Sequence, residues 1–309
     1  MSSRTEIWMG EFKSGFVAIV GRPNVGKSTL MNAVLGEKIS IISPKPQTTR
    51  NRIQGIYTSA SEQIIFIDTP GIHKPLHGLG EFMNKEALLS FQGVDLILYI
   101  VPADAPFGRG DEFVISQFRK VDTPVFLVFN KIDLVKDRSD LMENVLKFTE
   151  SFNFSEVYYI SALRGENTDK LMEGIISYLE PGPMYYPPEQ KSNYPEHFII
   201  AEIIREKVLT LMEEEVPHSV AVVVEEIGTD EENPQLADIR AVIYVERTSQ
   251  KKIIIGAGGK MIKEIGSRAR QEIVMLLGQK VFLDLWVKVE KDWRNRDAVL
   301  RRLGYRPEN

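Results

Sequence analysis

GRPNVGKS, Gly21 to Ser28, gathers the groups that a polyphosphate needs. Gly21 and Gly26 let backbone amides turn inward around a β-phosphate, with Arg22, Pro23, Asn24 and Val25 spanning the turn. Lys27 reaches the β and γ oxygens, the Ser28 hydroxyl offers Mg²⁺ a ligand, and Thr29 leads into a helix. The pattern is GxxxxGK[ST], and it stands between the apolar run FVAIV and the helical TLMNAVLG, the strand and helix such a loop requires.

Three further motifs also leave the carboxyl ends of apolar runs, where open α/β sheets bind ligands. DTPG (Asp68, Thr69, Pro70, Gly71), followed by Ile72, comes after IIFI. Asp68 is placed to hold Mg²⁺ through water, and the Gly71 amide to sense a γ-phosphate. NKID comes after VFLVF. An ionised Asp133 accepts two hydrogen bonds from guanine N1 and its exocyclic amine, which adenine does not offer, while Asn130 and Lys131 brace the loops around the base. SAL (Ser161, Ala162, Leu163) follows VYYI and adds a backbone amide toward the guanine oxygen. Each short motif is common alone; their order and positions carry the weight.

These residues match the GTPase superfamily, in which PKPQTTR (Pro44 to Arg50) takes the place of the first switch. Thr48 or Thr49 would give Mg²⁺ a hydroxyl, and alignment on TTR favours Thr49. Phosphoryl transfer to water rests on positioning and charge, so Lys27, Thr49 and Gly71 form the expected catalytic set. In Ras-like proteins a Gln after the DTPG-type glycine orients water; here Ile72 stands there and can neither donate nor accept, so slow intrinsic hydrolysis is expected. Two repairs are open: a potassium ion ligated in part by the Asn24 side-chain oxygen, or an activating partner. His73 and His77 read as solvated loop residues of the second switch.

The elements that must position these residues divide the chain in two. Over 14–180, β-rich runs alternate with helical segments, predicting an α/β P-loop domain with a mostly parallel six-stranded sheet and helices on both faces. IQGIY and IIFI are too close for a helical crossover and should pair antiparallel. The Pro-rich stretch 181–195 reads as a linker and residues 1–13 as an extension. From 196 to 309 the pattern is α+β: a helix over 196–215, strands near 220–226 and 239–246, a Gly-rich turn, a helix, the strand VFLDLWVKV and a polar terminal helix.

Composition agrees with two globular units: of 309 residues 43% are apolar and 26% charged, and Cys is absent, which excludes disulfides, thiolate metal sites and cysteine nucleophiles. No secretory leader opens the chain and no apolar run approaches the roughly 18 residues of a membrane span, so the sequence reads as soluble. The net charge of −5 hides an asymmetry: residues 251–309 hold 14 Lys and Arg against 7 Asp and Glu, the preceding 250 residues 24 against 36. That points to a polyanion at the carboxyl end.

There, IIIGAGGKMIKEIG (253–266) places Gly256, Ala257, Gly258 and Gly259 between helical segments, with Lys260 and Lys263 beside them. The glycines admit a sugar-phosphate backbone and the lysines add charge. This resembles a KH domain of the bacterial type (type 2), which clamps about four unpaired nucleotides. Acidic residues upstream, 12 against 3 basic between Ala201 and Glu246, would confine RNA to the Gly loop. Trp286 and Trp293 are candidates for base stacking, although strand alternation makes Trp286 a core or edge residue. Arg294, Arg296, Arg301 and Arg302 read either as footprint or as the coat of a solvated helix.

Taken together, GRPNVGKS, PKPQTTR, DTPG-Ile, NKID, SAL and the Gly loop resemble the Era family of GTPases from Phe16 onward. The resemblance implies a bacterial cytoplasmic GTPase that uses GTP/GDP, Mg²⁺ and in one reading K⁺. It further implies that the KH domain binds the 3′ end of 16S rRNA and assists 30S ribosomal subunit maturation, with peripheral association at the inner face of the cell membrane. Monomer is the default. A GTPase acting on another RNA such as tRNA is the alternative, and a P-loop kinase a weaker one. GTP-dependent ordering of the switches is expected to reposition the RNA groove about the linker.

Overall fold

The structure, a computed structural model, describes residues 11–73, 75, 77–229 and 235–305. Residues 1–10 of the expected extension lie outside the described residues, and Lys13 already belongs to the first strand, paired with Glu62.

The apolar runs form β1 (Lys13–Gly21), β2 (Ile53–Thr58), β3 (Glu62–Asp68), β4 (Leu96–Pro102), β5 (Val125–Asn130) and β6 (Glu156–Tyr159). They make one six-stranded sheet in the order β2-β3-β1-β4-β5-β6. Every pairing is parallel except β2 with β3, whose short connection permits only a hairpin. The central strands are buried on both sides, which is why they read as unbroken apolar runs. One face is covered by α1 (Lys27–Leu35) and α5 (Thr168–Tyr178) through Leu30, Met31, Leu171 and Ile175. The other is covered by α2 (Gly78–Leu89), α3 (Arg109–Phe118) and α4 (Arg138–Ser151) through Ala87, Val114, Phe118 and Phe148.

The proline-rich stretch is a strap across the sheet rather than a swivel. Ile56 N donates to Lys191 O at 2.8 Å on the edge strand β2. Gln63 Oε1 accepts from Tyr185 N and Tyr186 N at 2.7 and 2.9 Å, and the Tyr185 ring lies 5.1 Å from that of Phe16. Its prolines deny ladder donors, but the residues between them supply enough amides and rings to fasten it.

The second unit runs α6 (Glu196–Leu211), β7 (Ala221–Thr229), β8 (Leu236–Val245), α7 (Thr248–Ile255), α8 (Lys260–Leu277), β9 (Lys280–Val289) and α9 (Asp297–Arg302). Its sheet has the order β7-β8-β9, antiparallel then parallel, with α6, α7 and α8 packed on one face around Ile204, Ile254, Ile265 and Ile273. α6 ends at Leu211, short of the expected 215, because Met212 is extended (φ −104°, ψ 153°) and the chain then turns at Pro217.

Both switches dock on this unit. Leu79, Phe82 and Met83 of α2 pack with Ala221, Trp293, Leu300 and Tyr305. Arg50 is buried beside the stacked rings of Trp293 and Tyr305 (5.8 and 5.7 Å) and donates to Val220 O at 2.6 Å. Trp293 is therefore excluded from base stacking, its Nε1 donating to Ser219 O at 2.9 Å. The reading of Trp286 as a core residue fails and the edge reading holds: it is 57% exposed on edge strand β9, on the face away from the helices. Nor is α9 wholly polar, since Val299 and Leu300 are buried beneath it.

Candidate functional site

β1 delivers Gly21 and α1 receives Lys27, so the intervening loop faces the carboxyl ends of the strands. A Cβ on Gly26 would sit 2.2 Å from Asn130 Nδ2, so glycine is what lets the two loops close. Asn130 ties three motifs together: Nδ2 donates to Val25 O and Oδ1 accepts from Ala162 N, both at 2.9 Å. Lys131 Nζ donates to Asn24 O at 2.8 Å. Asp133 accepts from Ser161 Oγ at 2.6 Å, which aims its carboxylate. This matches the bracing expected of Asn130 and Lys131.

Lys27 is buried, donating to Arg22 O at 3.0 Å. Burial lowers its pKa to about 8, with Asp68 partly opposing. Ser28 Oγ and Thr49 Oγ1 lie 2.9 Å apart and donate to the same oxygen, Asp68 Oδ2, at 2.6 and 3.3 Å. Ser40, which sequence reasoning missed, adds a hydroxyl at 2.8 Å. Asp68 Oδ1 is buried without a hydrogen-bond partner among the described residues, and burial raises this carboxyl's pKa against the pull of Lys27. Hydroxyl and carboxylate oxygens with an unsatisfied acceptor are the donor set Mg²⁺ takes alongside phosphates and water, so the residues fit the ion. Thr48 Oγ1 instead donates to Lys45 O at 2.7 Å, which supports Thr49 over Thr48.

The pocket, of ≈ 610 Å³, is lined by Pro23, Lys27, Ser28, Thr29, Thr49 and Gly71, with Lys131 and Leu163 toward the base end. Among the expected residues, Val25 and Ile72 are each only 2% exposed. Thr69 turns its hydroxyl to Ile19 O at 2.8 Å, and Arg22 forms an ion pair with Asp111 at 3.1 Å. Asn24 Nδ2 donates to Pro44 O at 2.8 Å, joining the phosphate loop to the first switch. The reading of His73 and His77 as solvated loop residues is corrected. His73 is half-buried between Gly71 O (2.9 Å from Nδ1) and Gln47 Nε2 (3.1 Å from Nε2), and His77 Nδ1 caps α2 by accepting from Gly80 N. No local pattern in the sequence marks Gln47.

In the second unit the Gly loop joins α7 to α8. Gly256, Gly258 and Gly259 all have positive φ (71°, 60°, 77°), and a Cβ on Gly258 or Gly259 would meet no atom within 4 Å. The loop is thus an open backbone surface. Beside it a groove of ≈ 390 Å³ runs between α8 and β9, lined by Ile262, Lys263, Gly266, Arg270, Phe282 and Leu283. Only Lys263 of these was an expected contact; Arg270 and Phe282 come to it from a helix turn and a strand edge. Lys251, Lys252, Lys260, Lys263 and Arg270 make no ion pair among the described residues, whereas Arg294, Arg296 and Arg302 pair with Glu246 or Glu290. Unpaired positive charge is therefore present beside the Gly loop, where Arg294, Arg296 and Arg302 do not contribute it.

Residues 16–131 match a family described as 50S ribosome-binding GTPase, and residues 215–294 match the KH domain family. The chain is 52% identical to GTPase Era of Staphylococcus haemolyticus over 96% of its own length and 98% of that protein. It is similar to the crystal structure of an Aquifex aeolicus Era variant bound to GDP·AlF4⁻ (42% identity, TM-score 0.92, 95% of this chain and 99% of that one). A second Era structure, in complex with MgGDPNP and nucleotides 1506–1542 of 16S ribosomal RNA, matches equally (43% identity, TM-score 0.92, the same coverage). The chain belongs to the GTPase Era family.

Proposed function

We propose that this GTPase is a guanine-nucleotide switch that grips the 3′ end of 16S rRNA in the groove between α8 and β9 and assists 30S subunit maturation. The observation that carries the reading is the joining of two sites: the Lys27, Ser28, Thr49 and Asp68 cluster, and a groove beside unpaired cations, connected through a first switch whose Arg50 is buried in the second unit. The relative captured with MgGDPNP and the 16S segment supports the same pairing of ligands.

In this reading Lys27 and the loop amides hold the β- and γ-phosphates, the Gly71 amide contacts the γ-phosphate, and Asp133 selects guanine. Ser28, Thr49 and Asp68 would hold Mg²⁺, which would supply neutralisation of the charge developing on the phosphates. Asn24 ties its amide nitrogen to the first switch, which leaves its oxygen to face a potassium ion; equal hydrolysis rates in potassium and sodium would remove that element. Peripheral contact with the inner face of the cell membrane, the place the resemblance implies, is tested by co-sedimentation with anionic vesicles. Among the described residues no helix is long and apolar enough to cross a membrane.

GTP-over-ATP binding followed by sequencing of RNA crosslinked to the full chain tests the proposal. Crosslinks concentrated in the 3′ terminal segment of 16S rRNA are expected, and crosslinks concentrated in tRNA would replace the target.

A further inference from the structure

Position 72 leaves hydrolysis without a side chain to orient water, since Ile72 is folded into the core. Across the same pocket the first switch presents Gln47. Its backbone is left-handed (φ 61°), an unfavourable conformation for a residue with a long side chain, so the surroundings must hold it. They do: the Thr48 hydroxyl closes on Lys45 O, and the buried guanidinium of Arg205 on α6 grips Thr48 O, the next carbonyl along.

His73 places the side chain. Its Nδ1 faces Gly71 O, which can only accept, so Nδ1 carries the proton of that contact. Nε2 is then the acceptor, and Gln47 Nε2 donates to it at 3.1 Å. That fixes the carboxamide: nitrogen toward His73, leaving Oε1 buried with no hydrogen-bond partner among the described residues. An oxygen so enclosed is unfavourable without a donor, and a shift of the first switch on nucleotide binding that turns it into the adjoining pocket would let water serve as that donor.

We infer that Gln47 Oε1 orients the water that attacks the γ-phosphate, with His73 as the residue that positions it. The inference rests on the GTPase reading of the pocket. The water donates one O–H to Gln47 and turns a lone pair toward phosphorus. As the new O–P bond forms, the bond from phosphorus to the bridging oxygen breaks and its electron pair leaves on GDP. The water's proton stays with the inorganic phosphate, because a carboxamide is no base at neutral pH. Gln47 lies two residues before Thr49, so engagement of the metal by Thr49 and placement of the water occur in one ordered segment.

The test uses the full chain with Gln47→Ala, His73→Ala and His73→Gln. Single-turnover GTP hydrolysis, affinity for a non-hydrolysable analogue and trapping of GDP·AlF4⁻ are measured for each. Gln47→Ala should slow hydrolysis on the order of 10²-fold and lose AlF4⁻ trapping while analogue affinity stays within about threefold. His73→Ala should fall between native and Gln47→Ala, and His73→Gln, which restores an acceptor, should recover part of the loss. Hydrolysis by Gln47→Ala within about twofold of native, or a loss of analogue affinity as large as the loss of rate, would overturn the role. Absence of turnover in the native chain would instead overturn the GTPase reading, and this inference with it.

Discussion

Around the phosphate loop the side chains of one motif are engaged by another: Asn130 with Val25 and Ala162, Lys131 with Asn24, Asp68 with Ser28 and Thr49. Around the Gly loop the reverse holds, since its lysines have no ion-pair partner among the described residues and two of its glycines face open space. The physical demands differ. Moving a phosphoryl group requires atoms fixed to within about 0.5 Å, which buried hydrogen bonds supply, whereas gripping a flexible polyanion requires unpaired charge and an accessible backbone. The first region should fail sharply at single positions and the second gradually.

Lys27→Ala should show the sharp failure best. Removing a buried cation from the phosphates should cost about 2–5 kcal/mol in GTP affinity, while RNA affinity measured with the chain free of nucleotide stays unchanged. Equilibrium nucleotide binding and RNA binding on the same variant would show whether the effect is confined to one half.

Arg50→Ala comes next, and it attacks the boundary that the comparison assumes. It removes a hydrogen bond to Val220 O and two ring contacts, so a loss of about 2–3 kcal/mol in urea unfolding is expected. An unchanged midpoint would mean that the halves do not support one another.

The pH dependence of GTP binding follows from Lys27. Its pKa is about 8 in the free chain and the added triphosphate charge raises it, so binding takes up a proton above pH 8. Affinity is therefore flat below pH 8 and falls at higher pH, by at most about 1.4 kcal/mol per pH unit. Calorimetry in buffers of different ionisation enthalpy measures that proton uptake directly. The smallest effect belongs to the groove: Lys263→Ala should weaken RNA binding by about 0.5–1 kcal/mol and reduce the salt slope by roughly 0.7, with nucleotide affinity untouched.

What could be seen in the sequence follows the same division. The motifs and their strands are local patterns, and the antiparallel β2–β3 pair follows from a connection too short for anything else. The contacts that join the halves have no local signature: Arg50 meets Tyr305 across 255 residues, and Arg205 meets Thr48 across 157. Gln47 and His73 escaped for a related reason, because only the fold brings the two switches together. Alternation leaves Trp286 between core and edge because it marks the two faces of a strand without saying which one helices cover, and the burial of Trp293 against Arg50 and Tyr305 is a contact distant in sequence.

Coupling of the two sites would run through the first switch, anchored in the second unit by Arg50. It is tested most directly by the affinity for a 16S rRNA 3′ terminal oligonucleotide at fixed salt, with a GTP analogue and with GDP, in the native chain and in Arg50→Ala. A difference of about fivefold or more between nucleotides in the native chain, collapsing in the variant, is the predicted result. Equal affinity with both nucleotides in the native chain would contradict it.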